Sequence, residues 1–208
     1  MLTNETTSQA LTEEAVQERI ERLILLVTTH ETGHYIVSRA LLDYRSSRLL
    51  TILPSEDYEK LGEHVSEEMP NIEKRKEDYV NEIAGLLAGT VAEKMFLTEE
   101  FIKSCNALGA LGNISDLNKA LKLANKIAPE YCFTSHKICS ACNKWPKHLR
   151  KYFLESAKNR IMEEAEELAR KTILEHKEQY IEVRKALIIK RKLTGEELEK
   201  LYNENLKK

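Results

Sequence analysis

Glycine and proline are scarce in this chain, and their scarcity constrains the fold more than any other feature of the sequence. Only 7 of the 208 residues are glycine and 4 are proline, and aromatic residues make up 6%. A β-sandwich or barrel needs many turns, which draw heavily on glycine and proline. The composition therefore favours long helices, and a hydrophobic fraction of 42% is enough to build a core.

Apolar residues recur at intervals of three and four between positions 11 and 44, which predicts one long helix or two abutting helices. Thr12, followed by two glutamates, is a plausible start for this helix. The last helix is expected to begin at Thr194, with Glu197 as its capping-box partner. Between these two ends, the same period predicts helices over 71–97, 115–128 and 146–177, followed by a shorter one.

Two short β-prone runs interrupt the helical pattern. The first is Leu49 to Leu53, which Pro54 ends, and the second is Gly62 to Ser66. An acidic loop between them would let the two runs pair as a small antiparallel unit. The predicted fold class is therefore mainly α, of the α+β type, with a small β-sheet and a long helical C-terminal part.

Charge and hydropathy exclude several classes of function. The formal net charge is −2, so no overall electrostatic field favours nucleic acid. The basic run from Lys185 to Lys192 alternates with apolar residues and is typical of a solvated helix face. No segment approaches the roughly 18–20 apolar residues that span a bilayer, and no signal peptide or P-loop motif is present. We expect a cytoplasmic protein without a membrane segment.

Residues 29–35 read T-H-E-T-G-H-Y and contain the pattern H-E-x-x-H. On a helix, His30 and His34 lie on one face and can bind one zinc ion. Glu31 lies about 100° around the helix, where it can reach a water molecule on the metal and act as a general base. Gly33 is costly inside a helix and indicates close packing. The pattern predicts a catalytic zinc site.

A catalytic zinc ion usually has three protein ligands and one open position, so a third ligand must come from elsewhere in the chain. By chemistry alone the candidates are His64, Glu93, Asp116 and several other acidic residues. Asp116 stands out because it lies in the first turn of a predicted helix, directly after a loop that contains glycine. The residues alone leave this choice open.

Several motifs in the same order resemble the peptidase domain of FtsH-type zinc metalloproteases. H-E-T-G-H is similar to the signature H-E-x-G-H of that family. The β-prone runs, each leading to a proline, resemble the two strands that follow the signature. The remaining similar segments are I-A-G-L-L-A-G-T-V-A-E, residues 83–93, and S-D-L-N-K-A, residues 115–120.

The resemblance implies a helical, zincin-like peptidase fold with a small sheet beside the zinc site. It implies that His30, His34 and Asp116 bind zinc, that Glu31 is the catalytic base, and that Glu93 orients a ligand histidine. A surface acid is the alternative interpretation of Glu93. The implied substrates are unfolded polypeptides, bound in extended form along the sheet edge.

The resemblance also suggests a division of the chain and a position for one further histidine. We expect a zinc peptidase core over residues 1–130, a cysteine-rich loop over 131–145, and C-terminal helices over 146–208 that pack on the core. His64 falls near the expected sheet edge, where an exposed strand histidine is favoured over a contact with substrate.

The sequence departs from the family pattern in ways that leave more than one function open. The ATPase and membrane anchor of the family are absent from this chain, Ser115 replaces the usual asparagine, and Ala88 replaces a glycine. A metalloendopeptidase of unfolded chains is the first hypothesis, with an ATPase partner acting in trans or a homo-oligomer as further expectations. The alternative is a catalytically inactive, metal-binding adaptor module of a larger ATPase–protease assembly. A third idea is a hydrolase of non-peptide substrates, since activated zinc-bound water also attacks other carbonyl groups.

The segment Y-C-F-T-S-H-K-I-C-S-A-C-N-K-W replaces a short turn of the family. Its four soft ligands follow the spacing C-x3-H-x2-C-x2-C and could hold a second, structural zinc ion. Incidental free thiols, or a redox-active C-x-x-C, are the alternatives. Cys105 is remote from this segment and is expected to pack as a small hydrophobic residue. The candidate ligands are Cys132, His136, Cys139 and Cys142.

Overall fold

Helices dominate the fold, as the scarcity of glycine and proline predicts. A computed structural model describes residues 12–43, 45–55, 61–68, 74–106, 113–129 and 146–204. None of the helices in these ranges is both long enough and apolar enough to cross a membrane. The helices are α1 (Glu13–Leu41), α2 (Lys76–Phe96), α3 (Glu99–Asn106), α4 (Asn113–Ile127), α5 (Lys147–Glu175), α6 (Lys177–Lys190) and α7 (Gly195–Glu204), and the strands are β1 (Arg45–Thr51), β2 (Glu63–Glu68) and β3 (Lys192–Thr194).

The helix starts predicted from capping residues are confirmed at both ends of the chain. The Thr12 hydroxyl accepts a hydrogen bond from the backbone N–H of Ala15 at 3.3 Å, which satisfies a free donor in the first turn of α1. At α7, the Thr194 N–H donates to the Glu197 carboxylate at 2.9 Å, and the Glu197 N–H donates to the Thr194 hydroxyl at 3.4 Å. This reciprocal pair is a capping box.

The small antiparallel sheet has the strand order β2-β1-β3. The two predicted strands pair as expected, with Leu50 opposite His64, and a register shift between Ser47 and Leu49 bends β1. Strand β3 was not predicted, because three residues are too short to show an alternating pattern. It forms because Leu193 pairs with Leu50 and is buried in the same hydrophobic cluster as the helices. Helix α3 was not predicted either.

Helices α1 and α2 cross closely at the centre of the hydrophobic core. Residues Thr28 to Ser38 of α1 are all buried, including several polar side chains. At Gly33, an added Cβ atom would lie 2.5 Å from the Ala88 carbonyl oxygen and 2.8 Å from the Ala92 Cβ atom. The two backbones can therefore approach this closely only because residue 33 has no side chain, which is the packing reason predicted for it.

The C-terminal helices pack directly on α1, on both sides of the buried turn. The Tyr180 hydroxyl of α6 donates to the Thr29 carbonyl at 3.0 Å, and the Tyr35 hydroxyl donates to the Leu198 carbonyl of α7 at 3.0 Å. One cluster of buried apolar residues includes members of α1, α2, α4, α5, α6 and α7. The proposed division at 131–145 stays a prediction, because that segment lies outside the described residues.

Gly33→Ala should destabilise the metal-free protein by roughly 1–3 kcal/mol, because the added methyl group overpacks the α1–α2 crossing. The free energy of unfolding is measured by urea denaturation. Gly85→Ala in α2 is the matched control, since its Cβ atom would lie 3.4 Å from the Ser38 Oγ atom, an ordinary contact distance. The control should be neutral or stabilise by up to about 1 kcal/mol. Equal effects of the two substitutions would refute the close crossing.

Candidate metal centre

The motif H-E-T-G-H forms one buried turn of α1. His30, Glu31 and His34 are 7%, 8% and 9% exposed, although all three side chains are polar. The spacing of four residues places both imidazole rings on the same side of the helix. Their Nε2 atoms lie 3.0 Å apart, so the two rings converge on one point.

Asp116 completes this group from the first turn of α4. Its Oδ2 atom lies 3.3 Å from the His34 Nε2 atom and 3.8 Å from the His30 Nε2 atom. The three ligand atoms lie within 4.8 Å of one another and could hold a metal ion. Ligand atoms at ~2.0–2.1 Å from a tetrahedral zinc ion are roughly 3.3 Å apart, which matches this spacing. Neither His64 nor Glu93, the other named candidates, belongs to the group.

The outer nitrogen of each imidazole ring has a hydrogen-bond acceptor. The His34 Nδ1 atom lies 2.7 Å from the Gly85 carbonyl oxygen, and the His30 Nδ1 atom lies 2.6 Å from the Glu93 Oε1 atom. A carbonyl oxygen only accepts, so Nδ1–H of His34 donates, and a carboxylate favours the same tautomer of His30. Both Nε2 lone pairs then face the Asp116 carboxylate. Three converging lone pairs repel one another unless a positive charge, either a proton or a metal cation, lies between them. Two imidazole nitrogens and a carboxylate oxygen are ligands that zinc accepts, so this group fits a zinc ion.

The electrostatics of the group also favour positive charge. Burial acts to lower the pKa of His30, but the hydrogen bonds to Asp116 and Glu93, with the nearby charge of Glu31, raise this pKa to about 10. Burial acts to raise the pKa of Asp116, but His30, His34 and Lys119 outweigh it and hold the pKa below its usual range. The Lys119 ammonium group donates to the Asp116 Oδ1 atom at 2.8 Å, which leaves Oδ2 facing the histidines.

Glu31 lies beside the ligand group without belonging to it, as its position on the helix predicts. Burial raises the pKa of its carboxyl group, although the charges of His34 and His30 act to lower it. The chain at Gly62, just before β2, packs on Glu31, because a Cβ atom there would lie 3.0 Å from the Glu31 Cγ atom. Glu31 is thus a buried acid next to three potential metal ligands, and the chain that leads into β2 packs against it.

Two residues of α2, Gly89 and Glu93, contact the ring of His30. At Gly89, an added Cβ atom would lie 2.5–2.6 Å from three atoms of the His30 ring. Glu93 is 2% exposed, so its interpretation as a surface acid is wrong. The contact at Gly89, the Gly85 carbonyl acceptor and the Lys119 hydrogen bond were not predicted from the sequence. The helical spacing of Gly85, Gly89 and Glu93 at intervals of four was the signal that they share one face.

His64 differs from its predicted state as an exposed strand histidine. It is partly buried on the side of β2 that faces α1, and its Nε2 atom lies 2.9 Å from the Ser47 hydroxyl oxygen. Its ring meets the Tyr35 ring edge-on, with centroids 5.9 Å apart. Burial, with the charges of His34 and Arg45, lowers the pKa of His64 to about 3. Its pairing with buried Leu50 turns this side chain inward.

The cysteines fall into two groups. Cys105 is fully buried beside Leu26, which confirms its packing as a small hydrophobic residue. The candidate ligands of a second zinc site all lie outside the described residues, so that site stays a prediction. They are Cys132, His136, Cys139 and Cys142.

Residues 15–201 match the family model described as Peptidase family M41. The chain belongs to this family. It is also similar to the ATP-dependent zinc metalloprotease FtsH 1 of Thermoanaerobacter sp. (strain X514), with 29% identity over 199 residues. That match covers 86% of this chain and 30% of the relative, so the chain spans less than a third of the relative's length. The predicted FtsH-type peptidase resemblance and the mainly α fold class are confirmed.

The match to Peptidase family M41 includes every described part of the metal centre. It begins in the first turn of α1 and extends into α7, so it also includes the C-terminal helices that pack on the buried turn. Membership therefore applies to nearly the whole described fold, and the chain is a member of a metalloprotease family.

Glu93→Ala should weaken zinc binding about 10–100-fold, because the His30 ring loses the acceptor that fixes its tautomer and orientation. Zinc affinity is measured by competition with a coloured chelator. Glu93→Gln keeps a carbonyl acceptor of the same length and should lose much less affinity. If both variants bound zinc like the wild type, Glu93 would have no part in supporting the ligand.

Gly89→Ala should also weaken zinc binding by at least about 10-fold, because the new methyl group displaces the His30 ring from its place against α2. Gly85→Ala adds the same methyl group one turn earlier, where there is room, and should keep nearly full affinity. Chelator competition on both variants makes the comparison. Equal zinc affinities would show that His30 does not need the open surface at Gly89.

Proposed function

We propose that this chain is a zinc-dependent metalloendopeptidase that hydrolyses peptide bonds of unfolded polypeptides. The observation that carries the proposal is the convergence of two imidazole nitrogens from one turn of α1 and a carboxylate oxygen from α4. A buried glutamate of the same α1 turn, Glu31, lies beside them. Membership of Peptidase family M41 supports it. A purely structural zinc site usually has four protein ligands, whereas three ligands leave a position for a reacting water molecule.

Each residue of the centre has a distinct role in this proposal. His30, His34 and Asp116 would hold the zinc ion, which when bound supplies Lewis-acid activation of water and of the scissile carbonyl. Glu31 accepts a proton at its carboxylate and passes it to the departing amine. Burial raises the pKa of Glu31, which favours the protonated form between these two steps. Glu93 and the Gly85 carbonyl hold the two imidazole rings in the ligating orientation.

The proposed substrate is an extended, unfolded polypeptide. In the described sheet, β1 lies between β2 and β3, so β2 has an outer edge available for pairing. A polypeptide can add to such an edge through backbone hydrogen bonds, which require an extended chain but little specific sequence. Because the chain entering β2 packs on Glu31, a polypeptide that pairs with β2 would pass close to the metal centre.

Partners and location remain proposals. The relative is an ATP-dependent enzyme by name, and this chain spans 30% of its length. We propose that folded substrates would need an ATPase, acting in trans, to unfold them, and that homo-oligomers can form. The cytoplasmic location remains the expectation from the sequence.

Glu31→Gln should reduce the rate of casein digestion by at least about 10²–10⁴-fold while zinc remains bound, because an amide cannot accept the proton. Release of labelled casein peptides measures the rate, and elemental analysis must give one zinc ion per chain in each sample. Glu14→Gln is the matched control, since Glu14 lies exposed in the first turn of the same helix. The control should retain the wild-type rate.

Two results would contradict the peptidase proposal. Equal digestion by wild type and Glu31→Gln would remove Glu31 from the reaction. A wild type that binds zinc but does not digest casein would refute a stand-alone peptidase and favour the metal-binding adaptor module instead.

A further inference from the structure

Strand β2 is held against the metal-binding helix at Gly62, the residue just before it. An added Cβ atom at residue 62 would lie 2.5 Å from the Val27 Cγ1 atom, 3.0 Å from the Glu31 Cγ atom and 3.0 Å from the Thr51 carbonyl oxygen. These atoms belong to α1 and β1, so the backbone of residue 62 lies in a narrow notch between them. Glycine is not needed here for a positive φ angle, because Arg191 has the only positive φ angle among the described residues. The reason for glycine is close approach.

A second contact fixes β2 two residues later. The His64 ring lies between the Ser47 hydroxyl of β1, at 2.9 Å, and the Tyr35 ring of α1, with centroids 5.9 Å apart. Tyr35 directly follows His34, and Val27 lies one turn before Glu31. The two contacts therefore connect the start of β2 to the helical turns on either side of the buried motif.

We propose that Gly62 is a positioning residue, whose missing side chain sets the distance between the substrate-pairing edge of β2 and the Glu31 carboxylate. This inference depends on the proposed peptidase function. A polypeptide that pairs with β2 moves together with that strand. Any displacement of β2 from α1 therefore moves the scissile bond away from Glu31. A displacement of about 1 Å can reduce a rate by about 10²-fold, since the reacting atoms must be aligned closely.

The geometry separates this role from a general structural one. Gly62 is partly exposed and lies at the beginning of an outer strand, so it contributes no side chain to the core. Its closest contact, Val27, is not a metal ligand, and none of the three ligand side chains is among the nearest atoms to residue 62. A change at residue 62 should therefore alter turnover while leaving zinc affinity nearly unchanged.

Gly62→Ala should lower kcat/KM for an internally quenched peptide about 10–100-fold, mostly through kcat. The double variant Gly62→Ala/Val27→Ala removes the atom nearest to the new methyl group and should recover most of this loss relative to Val27→Ala alone. Zinc affinity by chelator competition should stay within about threefold of wild type in all variants. A thermal unfolding transition confirms that each variant is folded.

Val27→Ile tests the same notch from the side of α1 and guards against a Gly62 variant that does not fold. It adds one carbon atom to the side chain that faces Gly62, and it should lower kcat several-fold with zinc affinity retained. Full activity of Gly62→Ala would overturn the inference, as would a loss that Val27→Ala does not relieve. Inactivity of the zinc-loaded wild type would instead overturn the proposed function, and the inference with it.

Discussion

The close crossing of α1 and α2 is the constraint on which the rest of the structure depends. Gly33 allows the two helices to approach until their backbones are in contact, and Gly89 then leaves room for the His30 ring on the surface of α2. At this separation α2 can supply both outer hydrogen bonds, from the Gly85 carbonyl and the Glu93 carboxylate. A wider crossing would leave two buried imidazole rings without partners, which costs free energy.

The metal centre joins side chains that are distant in the sequence. His30 and His34 belong to one turn of α1, but Asp116 comes from α4, more than eighty residues later in the sequence. Their converging lone pairs repel one another, so a cation would stabilise the packing of α4 against α1, and binding of the metal would be coupled to the stability of the fold. Lys119 offsets part of the charge on Asp116 from the solvent side.

The sequence predicted the helices well, because their apolar positions repeat over many turns. Thr12 and the Thr194–Glu197 pair marked helix starts for the same local reason, since each cap involves residues only three apart. Strand β3 and helix α3 were missed, as both are short. His64 was placed wrongly on the exposed side, because a two-residue alternation does not show which face of an isolated strand meets the core.

The sequence by itself determined the helical fold class and the shared face of His30 and His34, because both follow from the period of the α-helix. It also placed Glu31 beside that face. The residues alone left the third ligand open, although the family resemblance implied Asp116 and a supporting role for Glu93. The tertiary structure places Asp116, rather than His64 or Glu93, beside the two histidines and buries Glu93 against His30. Those relations depend on how closely separate helices approach. Between α1 and α2 the approach depends on Gly33 and Gly89, and the sequence does not show which side chains these glycines face.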